Sequence, residues 1–129
     1  MTKGIHHLGL TVKDLDEAKK FFVEMLGWSV LAENSSYPNM FISNGYTTLT
    51  LWQVQTKSPI QFNRKENIGL HHVALAVESQ EELNKILSLM KKSRHQVEFD
   101  IQPVNEGSNS LHFIMIGPSG IRIEFISSS

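Results

Sequence analysis

The chain has 129 residues, 40% of them hydrophobic and 19% charged, with a formal net charge of −1 and no cysteine. That is one domain's worth of chain, able to bury roughly two-thirds of its unfolded surface, and its apolar content excludes disorder. The near-neutral balance excludes a basic field for nucleic acid or an anionic membrane, and the missing cysteines exclude disulfides, thiolate catalysis and zinc-finger chemistry.

The opening segment, GIHHLGLTV at 4–12, alternates like a strand. A helix is expected from Leu15, capped by Asp14, with an apolar stripe of Leu15, Ala18, Phe22, Met25 and Leu26. Three strands should follow, at about 28–33, 38–43 and 46–54, broken by Asn34-Ser35-Ser36 and Asn44-Gly45. The polar stretch 55–68 reads as a linker.

The pattern then starts again. GLHHVALAV at 69–77 matches 4–12 at Gly4/Gly69, His6/His71, His7/His72, Leu10/Leu75 and Val12/Val77. Ser79 and Glu82 make a capping-box pattern before a helix whose stripe is Leu83, Ile86, Leu87 and Met90. Strands are expected at about 96–102, 110–116 and 120–127, broken by Asn105-Glu106-Gly107 and Gly117-Pro118-Ser119-Gly120. The basic pairs Lys19-Lys20 and Lys91-Lys92 fall near the helix ends, where they complement the dipole. The organisation is an α+β chain made of one βαβββ unit used twice: a single domain, 1–129, of modules 1–57 and 68–129 joined by 58–67.

Alternation along a strand sends neighbouring side chains to opposite faces. It groups His6 with Leu8, Leu10 and Val12 on the packing side, and His7 with Gly9 and Thr11 on the other. It likewise separates His71, on the side of Val73, Leu75 and Val77, from His72, on the side of Ala74 and Ala76. The small residues leave space beside His7 and His72, which makes those two the ligand candidates. In the last strand Ile121, Ile123 and Phe125 pack, while Glu124 lies opposite with Arg122 and Ile126. A carboxylate there calls for a cation. The matching strand of the first half puts Thr48, Thr50 and Trp52 on that face, with Thr50 at the position of Glu124.

Two imidazoles and one carboxylate with open positions suit one divalent ion: Zn, Ni, Mn, Co or Fe(II). The plainer alternative has the histidines satisfying local hydrogen bonds and Glu124 pairing with a surface Arg or Lys. Thr48, Thr50, Trp52 and His112 are candidates for lining a substrate pocket. Ordinary packing is the competing explanation for Trp52, and a surface or hydrogen-bonded core role for His112.

With HHLGLTVKDLDEAKKFFVEMLGW in the first half, and HHVALAV and GPSGIRIEF in the second, the sequence resembles the vicinal oxygen chelate superfamily. That group includes glyoxalase I, extradiol dioxygenases, fosfomycin-resistance enzymes and bleomycin-resistance proteins. The resemblance implies paired βαβββ modules whose strands form a curled mixed sheet around a metal, with His7, His72 and Glu124 as ligands. Glyoxalase I-like members supply a fourth ligand from the first module's last strand, where this chain has Thr50. Gly117-Pro118-Ser119-Gly120 replaces the family's frequent Asp-Pro-x-Gly turn.

The function expected is a metal-dependent, glyoxalase-like lyase or isomerase. Its ion would act as Lewis acid on a small substrate with adjacent oxygens, and Glu124 would be ligand and catalytic base. Extradiol dioxygenase and fosfomycin-resistance-type thiol transferase are the alternatives within that class. Glu106-Gly107-Ser108-Asn109-Ser110 resembles the phosphonate-side loop of the latter enzymes, whereas Gly9 stands where they usually carry a threonine. A drug-sequestering, bleomycin-resistance-type binding protein is the alternative from another class. A small-molecule substrate, no nucleic acid or membrane partner, a homodimer and a cytoplasmic location complete the expectation; no apolar run reaches the length of a signal or a membrane span.

Overall fold

The expected tandem βαβββ architecture is observed in a computed structural model, which describes residues 1–128. Contacts divide the chain into two units, Met1–Gln61 and the residues from Phe62 onward. Each carries its own four-stranded mixed sheet.

In the first unit, the strands are β1 (Leu8–Val12), β2 (Ser29–Asn34), β3 (Asn39–Ser43) and β4 (Thr48–Gln53), in the order β1-β4-β3-β2. β1 runs parallel to β4; the other pairs are antiparallel. The period-2 pattern sends Leu10, Val12, Met40, Ile42, Leu49 and Leu51 into the core under the helix. That helix, α1 (Leu15–Lys19), begins as expected: the Asp14 side chain accepts from the backbone N–H groups of Asp16 and Glu17. It then widens into a π-helical segment, Lys20–Met25.

This widening corrects the expected stripe. The Leu26 N–H donates to the Phe21 carbonyl at 3.1 Å, five residues back, and the extra residue in the turn brings consecutive side chains toward the sheet. Phe21 and Phe22 are therefore both buried, edge to face at 5.0 Å, while Leu15, Met25 and Leu26 are half-buried. Gly27, at φ +78°, takes the left-handed conformation that ends the helix.

The second unit repeats the plan with β5 (Val73–Ala76), α2 (Gln80–Lys92), β6 (Val97–Pro103), β7 (Leu111–Ile116) and β8 (Arg122–Ser127), in the order β5-β8-β7-β6. Leu83 and Met90 of α2 are buried, as are Phe113, Met115, Ile123 and Phe125 of the sheet. Half of the expected capping box forms. Ser79 Oγ accepts from the Glu82 N–H at 3.2 Å, but the Glu82 carboxylate takes Lys85 Nζ at 2.9 Å. A one-turn 3₁₀ segment, Pro118–Gly120, joins β7 to β8. Among the described residues no helix is long and apolar enough to cross a membrane.

Candidate active site

The registers align the two modules residue by residue. In the first, Thr50 lies between Gly9 of β1 and Phe41 of β3; in the second, Glu124 lies between Ala74 of β5 and Ile114 of β7. Thr50 and Glu124 are therefore equivalent. By the same count Thr48 matches Arg122, Trp52 matches Ile126, and Asn39 matches His112.

The doubled histidines follow the alternation only in part: His72 lies against Glu124 as expected, while His6 and His71 depart from it. β1 begins at Leu8 and β5 at Val73, so His6-His7 and His71-His72 precede the strands, and a strand's face parity does not extend to them. His6 and His71, expected on the packing side, are instead exposed. Within each pair the rings meet edge to face, with centroids 5.1 Å apart in the first and 5.0 Å in the second. The Nδ1 atoms touch at 2.9 Å and 2.8 Å. The repeated phrase thus produces a repeated contact.

In the second unit three of the expected site residues gather. His72 Nε2 is 3.3 Å from Glu124 Oε1, and His112 Nδ1 is 3.4 Å from Glu124 Oε2. Glu124 and His112 are largely enclosed, with 12% of each side chain exposed, whereas His72 keeps 35%. The His112 ring leans on Phe99 at 5.1 Å, and its Nδ1 is buried without a hydrogen bond, since the 3.4 Å approach to Glu124 is poorly aimed. A buried imidazole nitrogen left without a partner is costly. Facing a carboxylate that also meets a second imidazole, it belongs to a set of donor types that suit a divalent cation, although the three side chains are not arranged closely enough to hold one as they stand.

Beside this cluster Arg122 makes a two-pronged ion pair with Glu98, Nε to Oε1 at 2.9 Å and Nη2 to Oε2 at 2.8 Å. That contact holds the Glu98 carboxyl below its ordinary range and raises the guanidinium further. Arg122 Nη1 donates to the His71 backbone carbonyl at 3.1 Å and lies 3.1 Å from His71 Nδ1. Although the His71 ring is exposed, partial desolvation and then the guanidinium hold it below the usual imidazole value.

The first unit has a different chemistry on the equivalent face. Thr50 is 3% exposed, and its hydroxyl accepts a hydrogen bond from Trp52 Nε1 at 2.9 Å. Tyr37 and Phe41 flank the indole at 5.2 Å and 6.1 Å. A Cβ on Gly9 would stand 3.1 Å from Thr50 Oγ1 and 3.6 Å from Trp52 Nε1, so the glycine leaves room for that bond. Thr48 is half-buried on the same strand, and His7 is exposed ahead of β1. Among the described residues no group of three or more His, Cys, Asp or Glu side chains is close enough to hold a metal ion.

Sequence reasoning assigned His71 to the packing side and passed over Glu98 and the ring pair of Tyr37 and Phe41. Arg122 carried a usable signal, two residues from Glu124 on one face of a strand. Glu98 carried none, because β6 has register irregularities between Val97 and Phe99 and again before Gln102, which disturb the alternation there.

Known proteins place this geometry in a wider group. The chain is 28% identical to catechol-2,3-dioxygenase of Bacillus subtilis (strain 168) over 98 residues, 73% of this chain but only 33% of that protein. It therefore spans a third of that relative's length. A glyoxylase/bleomycin resistance protein/dioxygenase domain from Frankia sp. EAN1pec superposes with a TM-score of 0.86 at 20% identity, covering 100% of this chain and 94% of the other. A variant of the fosfomycin resistance protein FosX from Listeria monocytogenes, complexed with Mn(II) and 1S,2S-dihydroxypropylphosphonic acid, gives a TM-score of 0.73 at 16% identity, over 97% and 90% of the two chains. The family model of the Glyoxalase/Bleomycin resistance protein/Dioxygenase superfamily matches residues 4–125. Doubled βαβββ modules, aligned acid and hydroxyl positions and a match over almost the whole length agree: the chain belongs to that superfamily.

Proposed function

We propose that the protein is a metal-dependent enzyme that moves a proton on a small substrate with two neighbouring oxygens, a glyoxalase-like lyase or isomerase. The observation that carries the reading is Glu124, buried with one oxygen 3.3 Å from His72 and the other 3.4 Å from His112. His72 and Glu124 would hold the divalent ion. Bound there, the ion would polarise the substrate oxygens and stabilise negative charge developing on them. Glu124 takes the proton from the substrate carbon and returns it to the neighbouring one. His112 faces its second oxygen at 3.4 Å and, after a small turn of its ring, would donate to the anion or accept from the acid. Thr50, engaged by Trp52, contributes no second carboxylate, which separates this chain from four-ligand glyoxalases.

A second reading, ring-cleaving oxygen insertion, is favoured by the relation to catechol-2,3-dioxygenase and by a donor set suited to Fe(II). We also read the protein as a cytoplasmic homodimer. Within its own unit each sheet leaves its first strand at an edge, and an unpaired edge is a physical reason to pair with another copy.

The test is to load apo protein with Fe(II), Mn(II), Ni(II) or Zn(II) and screen three substrates: catechols under oxygen, thiol adducts of methylglyoxal, and fosfomycin with a thiol. Adduct isomerisation that disappears in Glu124→Gln supports the proposal. Oxygen uptake with Fe(II) alone moves the assignment to the dioxygenase, and fosfomycin consumption moves it to the transferase. Tight binding of a bulky drug with no turnover moves it to a sequestering protein. His72→Ala should abolish stoichiometric metal uptake.

A further inference from the structure

Arg122 Nη1 lies 3.1 Å from His71 Nδ1, and a guanidinium can only donate. His71 Nδ1 must then be an acceptor, with the ring proton on Nε2. The same Nδ1 is 2.8 Å from His72 Nδ1, a contact that needs one donor and one acceptor. His72 Nδ1 is left as the donor. In neutral His72 this leaves the lone pair on Nε2, the atom 3.3 Å from Glu124 Oε1. The guanidinium is itself held by both oxygens of Glu98 and by the His71 carbonyl, so the chain of contacts has a rigid origin.

We propose that His71 is a positioning residue: through Arg122 it sets the tautomer of His72 so that the Nε2 lone pair faces Glu124, ready for a cation. The proposal rests on the reading of His72 as a metal ligand. The reverse tautomer would bring an Nδ1–H of His71 against an N–H of Arg122, a donor–donor contact; the tautomer proposed leaves the His72 Nε2 lone pair against the Glu124 carboxylate, a repulsion that a cation between them relieves. The doubled histidine thereby acquires a purpose in the second module: one ring binds, and its neighbour orients it. Fixing the far nitrogen of a ligating histidine commonly changes metal affinity by about 10–100-fold. In the first module Thr48 stands at the position of Arg122, so the same ring contact has no guanidinium to bias it from that position.

The experiment reads the tautomer directly, by long-range proton–nitrogen spectra of the histidine rings in apo protein above the imidazole titration range. Mn(II) and Zn(II) affinities are measured on the same samples by calorimetry. Wild type should show the proton of His72 on Nδ1. His71→Ala, a change at an exposed ring, should shift that proton toward Nε2 and weaken metal binding by about tenfold. His71→Asn, whose amide oxygen can replace the Nδ1 acceptor, should restore both. Arg122→Lys should resemble His71→Ala. A wild-type His72 protonated on Nε2, or a His71→Ala protein with unchanged tautomer and affinity, overturns the proposal. If wild type takes up neither metal, the metal reading fails by itself, while the spectra still decide how His72 is set.

Discussion

The two modules share a phrase, a topology and a strand register, yet their equivalent faces carry opposite kinds of chemistry. In the second, Arg122 and Glu124 alternate along β8 and engage Glu98, His71, His72 and His112. In the first, the same two positions of β4 are Thr48 and Thr50, and the partner of Thr50 is an indole packed between Tyr37 and Phe41. Duplication has preserved the scaffold and divided the labour. One half offers ionised groups and imidazole nitrogens, the other an indole, its flanking rings and a hydroxyl. The Cβ space around Gly9 and the presence of a Cβ at Ala74 follow the same division: the indole and hydroxyl of the first module need the room.

The largest effect should come from removing the charge on the second face. Glu124→Gln should lower turnover by about a hundredfold to ten-thousandfold, read in steady-state kinetics. Retention of full activity would show that the charged face of the second module is not what sets it apart from the first.

Next comes the two-pronged ion pair of the second module. Arg122→Met leaves the enclosed Glu98 carboxylate uncompensated and should cost about 3 kcal/mol in urea unfolding. The acid limb follows the same contact. Because the folded-state pKa of Glu98 is depressed, its stabilisation is complete above the ordinary carboxylate range and disappears as pH falls through the lowered value. Wild type should therefore lose stability below about pH 4 more steeply than Arg122→Met, whose Glu98 is no longer held down.

Converting the first face to the second is a sharper test. Thr50→Glu places a carboxylate at the position equivalent to Glu124 and should cost about 2 kcal/mol of stability in the absence of metal. Divalent metal should recover part of that loss and raise isomerase activity, measured by thermal denaturation and assay with and without Mn(II). A variant indifferent to metal would show that the aromatic wall cannot be turned into a ligand face.

The smallest effect should come from filling the space beside Thr50. Gly9→Ala brings a Cβ to 3.1 Å from Thr50 Oγ1 and should weaken the bond from Trp52 by about 1 kcal/mol or less. Trp52 fluorescence should shift with it, while the equivalent site in the second module already carries Ala74.

The sequence by itself determined the duplication, the element order, the core faces of β1, β4 and β8, and the equivalence of Thr50 with Glu124. These follow from a period of two in the strands and from local caps such as Asp14 and Ser79, whose causes lie within a few residues. Only the tertiary structure decided where His6 and His71 lie, because the rings stand just outside the strands, where alternation no longer constrains them. It also decided which neighbours the chemistry receives. Phe21 joined the core through a π turn, and Glu98, on the bulged strand β6, met Arg122 of β8, 24 residues away in the chain. His112 met Glu124 across two neighbouring strands. Periodicity reports which face a residue occupies; the partners on that face are set by strand pairing between distant segments, and no local pattern records them.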